Sequence, residues 1–177
     1  MARIDESRPD TPSPDTVPTG FASLDRVLGG GFRQQDLVVL GGDIGSGKSA
    51  LSLAVALRAA RQGLPTLFLS GEMGEERVRE RALAIEGKAT IDELRQGRLG
   101  DETRAAVGAA AIAQRGLPLM LRSLVEPGFA EIEAALELLP RRRLAVVDYL
   151  QLLQPSGVSR QEDRVATAVR WLKALAV

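Results

Sequence analysis

Gly42-Asp43-Ile44-Gly45-Ser46-Gly47-Lys48-Ser49 decides how this chain of 177 residues is read. The octapeptide is a full match to G-x-x-x-x-G-K-[ST]. Leu37-Val38-Val39-Leu40 before it reads as a short buried strand, and Ser49 to Gln62 after it reads as an Ala- and Leu-rich helix ended by Gly63. A glycine-rich turn with a chance Lys-Ser is the alternative, and the strand-loop-helix context argues against it. Glycines let backbone N–H groups turn inward around an anion at the positive end of a helix. Lys48 brings a mobile point charge to the β- and γ-phosphates, and Ser49 offers a hydroxyl to Mg²⁺. Gly42, Asp43, Ile44, Gly45, Ser46, Gly47, Lys48, Ser49 and the adjoining Ala50 are therefore the expected nucleotide contacts. ATP or GTP with Mg²⁺ is the expected cofactor.

Composition narrows the chemistry. Apolar residues make up 45% and charged residues 26%, as in ordinary globular proteins. The formal net charge is zero, so a grip on nucleic acid through bulk positive charge is excluded, and contacts to DNA must be local. With no cysteine and no histidine, disulfides, thiolate metal sites and Ser-His chemistry drop out. Carboxylates, hydroxyls, Lys, Arg and bound metal remain. No apolar run approaches about 18 residues, so no membrane helix is expected, and without an apolar signal region a cytoplasmic protein is the default. Only three lysines, Lys48, Lys88 and Lys173, stand among 20 arginines. A planar guanidinium is too large for the phosphate task, which explains a lysine at 48.

Around the loop, strands alternate with helices. Residues 1–18 hold Pro9, Pro12, Pro14 and Pro18 among Asp, Ser and Thr, and read as a flexible tail. Residues 19–177 form the expected domain. Phe21, Leu24 and Leu28 mark a short helix stopped by Gly29-Gly30-Gly31. Thr66 to Leu69, Leu117 to Leu121 and Leu144 to Val147 are further expected strands. Helices are expected over Glu75 to Ile85, Asp101 to about Gln114 and Phe129 to Leu138, with a small one capped by Thr90 and Glu93 and stopped by Gly97. Val165, Ala168, Val169, Leu172 and Leu175 form the stripe of a last helix. This order implies βαβ units and a parallel sheet flanked by helices, with ligands at the carboxyl ends of its strands.

Two acids fall at such ends. Asp148 closes the run Leu144–Val147 and suits a magnesium partner beside the phosphate loop, the alternative being an Asp that caps a turn. Glu72 follows the strand Thr66–Ser70. In a chain without histidine, a carboxylate is the natural group to polarise an attacking water. The alternative is an acid favoured by the next helix start, a role that Glu75 and Glu76 fit better. Arg141-Arg142-Arg143 reads as a solvated turn, and Trp171 as a packing residue.

The motifs together resemble the DnaB-type replicative DNA helicases, in their RecA-like P-loop ATPase domain. Thr19-Gly20-Phe21-Ala22-Ser23-Leu24-Asp25 is similar to the entry into such cores, shared with RadA proteins. Gly41-Gly42-Asp43 and Ser70-Gly71-Glu72 lean towards RadA. Glu72-Met73, Glu76 to Glu80, Leu94-Arg95-Gln96-Gly97-Arg98-Leu99, Val147-Asp148-Tyr149-Leu150-Gln151-Leu152 and Leu172-Lys173-Ala174-Leu175-Ala176 lean towards DnaB.

The resemblance implies an ATP-driven motor that moves on single-stranded DNA as a hexameric ring, with primase and a helicase loader as further partners and no membrane. It assigns Lys48 a catalytic as well as a binding role, Glu72 to the catalytic base, Ser49 and Asp148 to the metal, and Ser159, Arg160 and Gln161 to DNA. The resemblance leaves out the family's amino-terminal collar, its sensor-glutamine strand and its arginine finger. A partial core is therefore expected, with strands 37–40 and 144–148 either lacking their shared neighbour or pairing with each other. Two alternatives remain: a RadA- or KaiC-like ATPase of recombination or signalling, and a nucleotide-binding module without motor activity.

Overall fold

The computed structural model describes residues 15–125, 128–139, 141, 143–153 and 160–177. Two short strands, β1 (Thr16–Val17) and β2 (Phe32–Arg33), pair antiparallel around helix α1 (Ala22–Val27). Gly31 makes this possible, because a Cβ there would lie 2.4 Å from the Val17 carbonyl oxygen. Residues 1–14 of the expected tail lie outside the described residues, while Thr16 and Val17 at its inner end form β1, with Val17 buried. Asp25 fastens the entry segment: Thr19 donates to its Oδ1 from both N (2.7 Å) and Oγ1 (2.6 Å), and Gly20 N donates to Oδ2 (3.1 Å).

Helix α2 (Lys48–Arg61) carries Arg58, which donates to the Gly20 carbonyl and lies 3.7 Å from the centre of the Phe21 ring. Strand β3 (Thr66–Ser70) follows, then helices α3 (Glu75–Gly87), α4 (Ile91–Gln96) and α5 (Asp101–Gln114). The Thr90–Glu93 capping box opens α4 and Gly97 closes it, as the sequence predicts. Gly87 lets α3 and α5 approach closely, since a Cβ there would clash with Val107. Strand β4 (Leu119–Ser123), helix α6 (Phe129–Glu137), strand β5 (Leu144–Asp148), a 3₁₀ turn (Leu150–Leu152) and helix α7 (Gln161–Ala176) complete the order.

The sheet has the order β4-β3-β5, all parallel, with β3 central and every residue of it buried. Alternation along β3 splits the core into two layers. Leu67 and Leu69 meet Ile132 and Leu136 of α6 and Ala168 of α7, with Trp171 packed against that cluster. Phe68 meets Leu53, Ala56 and Leu57 of α2 and Val78 and Ala82 of α3. Trp171 also stacks on Phe129, with centroids 4.1 Å apart, which is the packing role expected of it. No helix among the described residues is long and apolar enough to cross a membrane.

Two strand expectations change. Strand β4 starts at Leu119 rather than Leu117, because Leu117 N still bonds back to Gln114 while the Pro118 carbonyl accepts from Thr66 N and sets the register. Leu37–Leu40 forms no strand. Among the described residues, strand β5 ends the sheet and ladders with β3 alone, so residues 37–40 have no described ladder partner and do not pair with residues 144–148. Val38, Val39 and Leu40 are accordingly 53%, 63% and 47% exposed. An apolar run yields a strand only where a neighbouring chain takes up its backbone groups.

Candidate functional site

The phosphate-loop motif folds as a turn that leads directly into α2. Gly47, the residue before the helix, has φ +89, and Gly45 has φ +78; side chains with a Cβ seldom adopt this left-handed backbone. The turn from Asp43 to Ser46 closes on a backbone hydrogen bond of 3.2 Å. Ile44 at its apex is fully exposed, and Ala50 faces solvent in the first turn of α2. Lys48 Nζ donates to the carbonyls of Gly42 (2.8 Å) and Asp43 (2.7 Å), so its ammonium is curled back inside its own loop. A carbonyl is a weaker partner for an ammonium than a phosphate oxygen, so an incoming anion can draw Lys48 off these carbonyls.

Ser49, one residue further along α2, reaches the end of β5. Its Oγ donates to Asp148 Oδ1 at 3.1 Å. The parallel register sets Asp148 opposite Ser70, and Gly71 N donates to the Asp148 carbonyl at 2.7 Å, so the two strand ends finish level. Asp148 is only 8% exposed, and its Oδ2 is buried with no hydrogen-bond partner. Burial pushes the Asp148 carboxyl above the usual aspartate range; the Ser49 hydrogen bond opposes this, the Glu72 charge adds to it, and Arg81 and Lys48 oppose it. A buried carboxylate with one free oxygen beside a hydroxyl is a place where a cation would be stabilised. Among the described residues no group of three or more His, Cys, Asp or Glu could cage a metal by itself. A cation here must take its remaining ligands from a bound molecule or water, the usual situation for Mg²⁺ with phosphates.

Glu72 lies in the turn after β3, exposed, on the same sheet edge as Asp148. Helix α3 starts at Glu75, with Gly74 before it, and Glu75 pairs with Arg79 at 2.6 Å. The helix-start role thus falls to Glu75 and Glu76, and Glu72 stands clear of the helix. Arg81 is not singled out by the sequence, yet its charge is felt at Asp148. Its place depends on how α3 lies against the sheet, which no local pattern states.

The remaining expected residues sit elsewhere. Ser159 lies outside the described residues. Arg160 is the exposed residue that precedes α7 and Gln161 is its first residue, followed by Glu162 and Asp163. Arg142 of the arginine run is outside the described residues. Arg141 is exposed, and Arg143 N donates to the Pro65 carbonyl at 2.7 Å, at the amino ends of the strands and away from Asp148.

Comparison with known proteins adds to this geometry. The model of the DnaB-like helicase C terminal domain matches residues 16–177. The chain is 30% identical over 178 residues to the replicative DNA helicase DnaB of Leifsonia xyli, covering 98% of this chain and 39% of that protein. A shorter match, 51% identical over 65 residues, links 37% of the chain to 14% of the DNA repair protein RadA of Mycolicibacterium smegmatis. Among solved structures, a DnaB-like replicative helicase studied for its interactions with primase superposes with a TM-score of 0.83 at 22% identity, over 91% of this chain and 40% of that one. The chain therefore spans well under half the length of the DnaB protein it matches.

Proposed function

This chain belongs to the DnaB-like helicase C terminal domain family, and from that premise we propose that it is the ATP-binding motor domain of a replicative DNA helicase. In this reading Mg-ATP hydrolysis drives movement along single-stranded DNA and separation of the duplex. The observation that carries the proposal is the convergence of Lys48, Ser49 and Asp148, with one buried Asp148 oxygen left unpartnered.

The residues present fit a nucleoside triphosphate with Mg²⁺. Backbone N–H groups of residues 42–50 hold the phosphates at the positive end of α2. Lys48 exchanges its two loop carbonyls for phosphate oxygens. Ser49 Oγ and Asp148 hold the cation, whose contribution is to neutralise charge on the phosphate oxygens. Glu72, exposed beside Asp148, accepts a hydrogen bond from the attacking water and takes its proton. Lys48 stabilises the negative charge that develops on the transferring phosphate.

The wider assembly belongs to the same proposal: a cytoplasmic hexameric ring, single-stranded DNA held near Ser159, Arg160 and Gln161, and primase and a helicase loader as partners. A neutral chain suits DNA contacts made by backbone N–H groups and a few arginines rather than by a basic face. Glu162 and Asp163 leave the start of α7 locally acidic, which restricts phosphate contacts there to Arg160 and the backbone. The RadA match supports the ATPase chemistry but spans 37% of the chain, against 98% for the DnaB relative.

Titration with ATP in the presence of magnesium or of a chelator tests the nucleotide part, and ATP turnover with and without single-stranded DNA tests the motor part. Magnesium-dependent binding and DNA-stimulated turnover are expected. ATP binding indifferent to magnesium and to Asp148→Ala would remove the metal assignment, and no ATP binding at all would remove the function.

A further inference from the structure

Ser70 closes β3 with a fully buried hydroxyl, directly after the apolar centre Leu67–Leu69 of the strand. Phe68, two residues earlier, packs against α2, so the alternation of the strand turns Ser70 to that same face. The parallel register sets it opposite Asp148. A buried hydroxyl is rarely left without a partner. Ser70 Oγ accepts a hydrogen bond from Met73 N at 3.0 Å, and this bond closes a turn over Gly71 and Glu72.

Three further contacts hold the same turn. The Ser70 carbonyl accepts from Leu124 N at 2.8 Å, and Gly71 N donates to the Asp148 carbonyl at 2.7 Å. The Met73 side chain packs on the apolar layer around Phe68. Glu72, between Gly71 and Met73, makes no hydrogen bond of its own among the described residues. Its place beside Asp148 is therefore set by its neighbours. The strand ends fix the turn on the side of Gly71, and the Ser70 hydroxyl fixes it on the side of Met73.

We infer that Ser70 is a positioning residue for Glu72: its hydroxyl holds Met73 N and so keeps closed the turn that presents the Glu72 carboxylate beside Asp148. The inference rests on the reading of Glu72 as the base that takes a proton from the attacking water, and adds to it the residue that holds that base in place. Proton transfer needs the carboxylate within hydrogen-bond reach of the water. A displacement of about 1 Å can cost about a hundredfold in rate, so a turn closed before the nucleotide arrives matters to turnover more than to binding.

The test begins without nucleotide. Amide hydrogen exchange at Met73 should run about three- to tenfold faster in Ser70→Ala than in wild type, as expected for the loss of one hydrogen bond. Ser70→Ala should then bind Mg-ATP within about twofold of wild type and lose about 10- to 100-fold in single-turnover hydrolysis. In a Glu72→Gln background the same substitution should cost less than about twofold, because a residue that acts through Glu72 has nothing left to position. A general loosening of the fold would slow both backgrounds alike. Ser70→Thr and Ser70→Val share an added methyl group and differ in the hydroxyl, so the threonine variant should hydrolyse about tenfold faster than the valine one even if the alanine variant folds poorly. Unchanged exchange at Met73, wild-type hydrolysis by Ser70→Ala, an equal loss in both backgrounds, or threonine and valine variants of equal rate overturns this inference alone. A Glu72→Gln variant as fast as wild type overturns the role of Glu72 with it, and a wild type that binds no Mg-ATP overturns the proposed function.

Discussion

Ser49 Oγ donates to Asp148 Oδ1 at 3.1 Å, a bond between the first turn of α2 and the last residue of β5 that spans 99 residues of chain. It draws the two polar groups suited to a cation into one place and leaves Asp148 Oδ2 buried without a partner. Lys48 precedes Ser49 directly, so the phosphate loop and this pair meet at the start of one helix.

Lys48→Ala should weaken Mg-ATP binding by about 10- to 100-fold, the loss expected when a charge-assisted hydrogen bond is removed. Lys48 is partly exposed and its partners are loop carbonyls, so the melting temperature should change little. Fluorescence titration with an ATP analogue measures the effect. An unchanged affinity would end the phosphate-loop assignment.

Asp148→Asn should raise stability near neutral pH while removing the magnesium dependence of ATP binding. The folded-state carboxyl titrates above its ordinary value because burial disfavours the charge. Between the ordinary and the raised value the folded state binds the additional proton, so wild-type stability from this group falls as pH rises through that window. The advantage of the asparagine variant is therefore greatest above the raised value and shrinks as pH is lowered towards the ordinary carboxylate range. Melting curves across that range check the sign, and an advantage that grew on acidification would contradict it.

Glu72→Gln should keep Mg-ATP affinity and lose about 10²–10⁴ in turnover, the usual contribution of a general base. The side chain is exposed and outside α3, so its melting temperature should match wild type. Turnover within a few-fold of wild type, measured in a single-turnover assay, would return Glu72 to an ordinary surface acid.

Lys88→Gly should stabilise the fold by about 0.5–1 kcal/mol. Lys88 ends α3 in the left-handed region at φ +53, exposed, with Ala89 N bonded back to the Ala84 carbonyl. Glycine takes this conformation without the Cβ penalty. Thermal melting should rise with nucleotide affinity unchanged, and a lower melting temperature would show that the lysine makes a compensating interaction with the helix end.

Much of this protein was determined by local pattern. The phosphate loop, the helix after it, the capping box at Thr90 and β3 with its apolar centre Leu67–Leu69 are each written in a few consecutive residues. Their causes are equally local: a left-handed glycine at 47, a side chain returning to a backbone N–H three residues on, and a run of residues suited to burial on both faces. Asp148 and Glu72 stand out in the sequence as candidate acids closing strand-like runs, because strand ends are where a parallel sheet exposes its ligand-binding edge.

Only the tertiary structure decided the rest. The apolar run Leu37–Leu40 looks like the centre of β3 in isolation, yet it forms no ladder with any described residue, because a strand depends on a neighbour and among the described residues β5 ladders with β3 alone. Arg81 is felt at Asp148 only through the way α3 lies on the sheet, and Lys173 finds Gln35 only because α7 packs where it does. Local geometry is set by steric and hydrogen-bonding rules acting within a few residues. Contacts between distant residues depend on how whole helices and strands pack, and no short window of sequence contains that information.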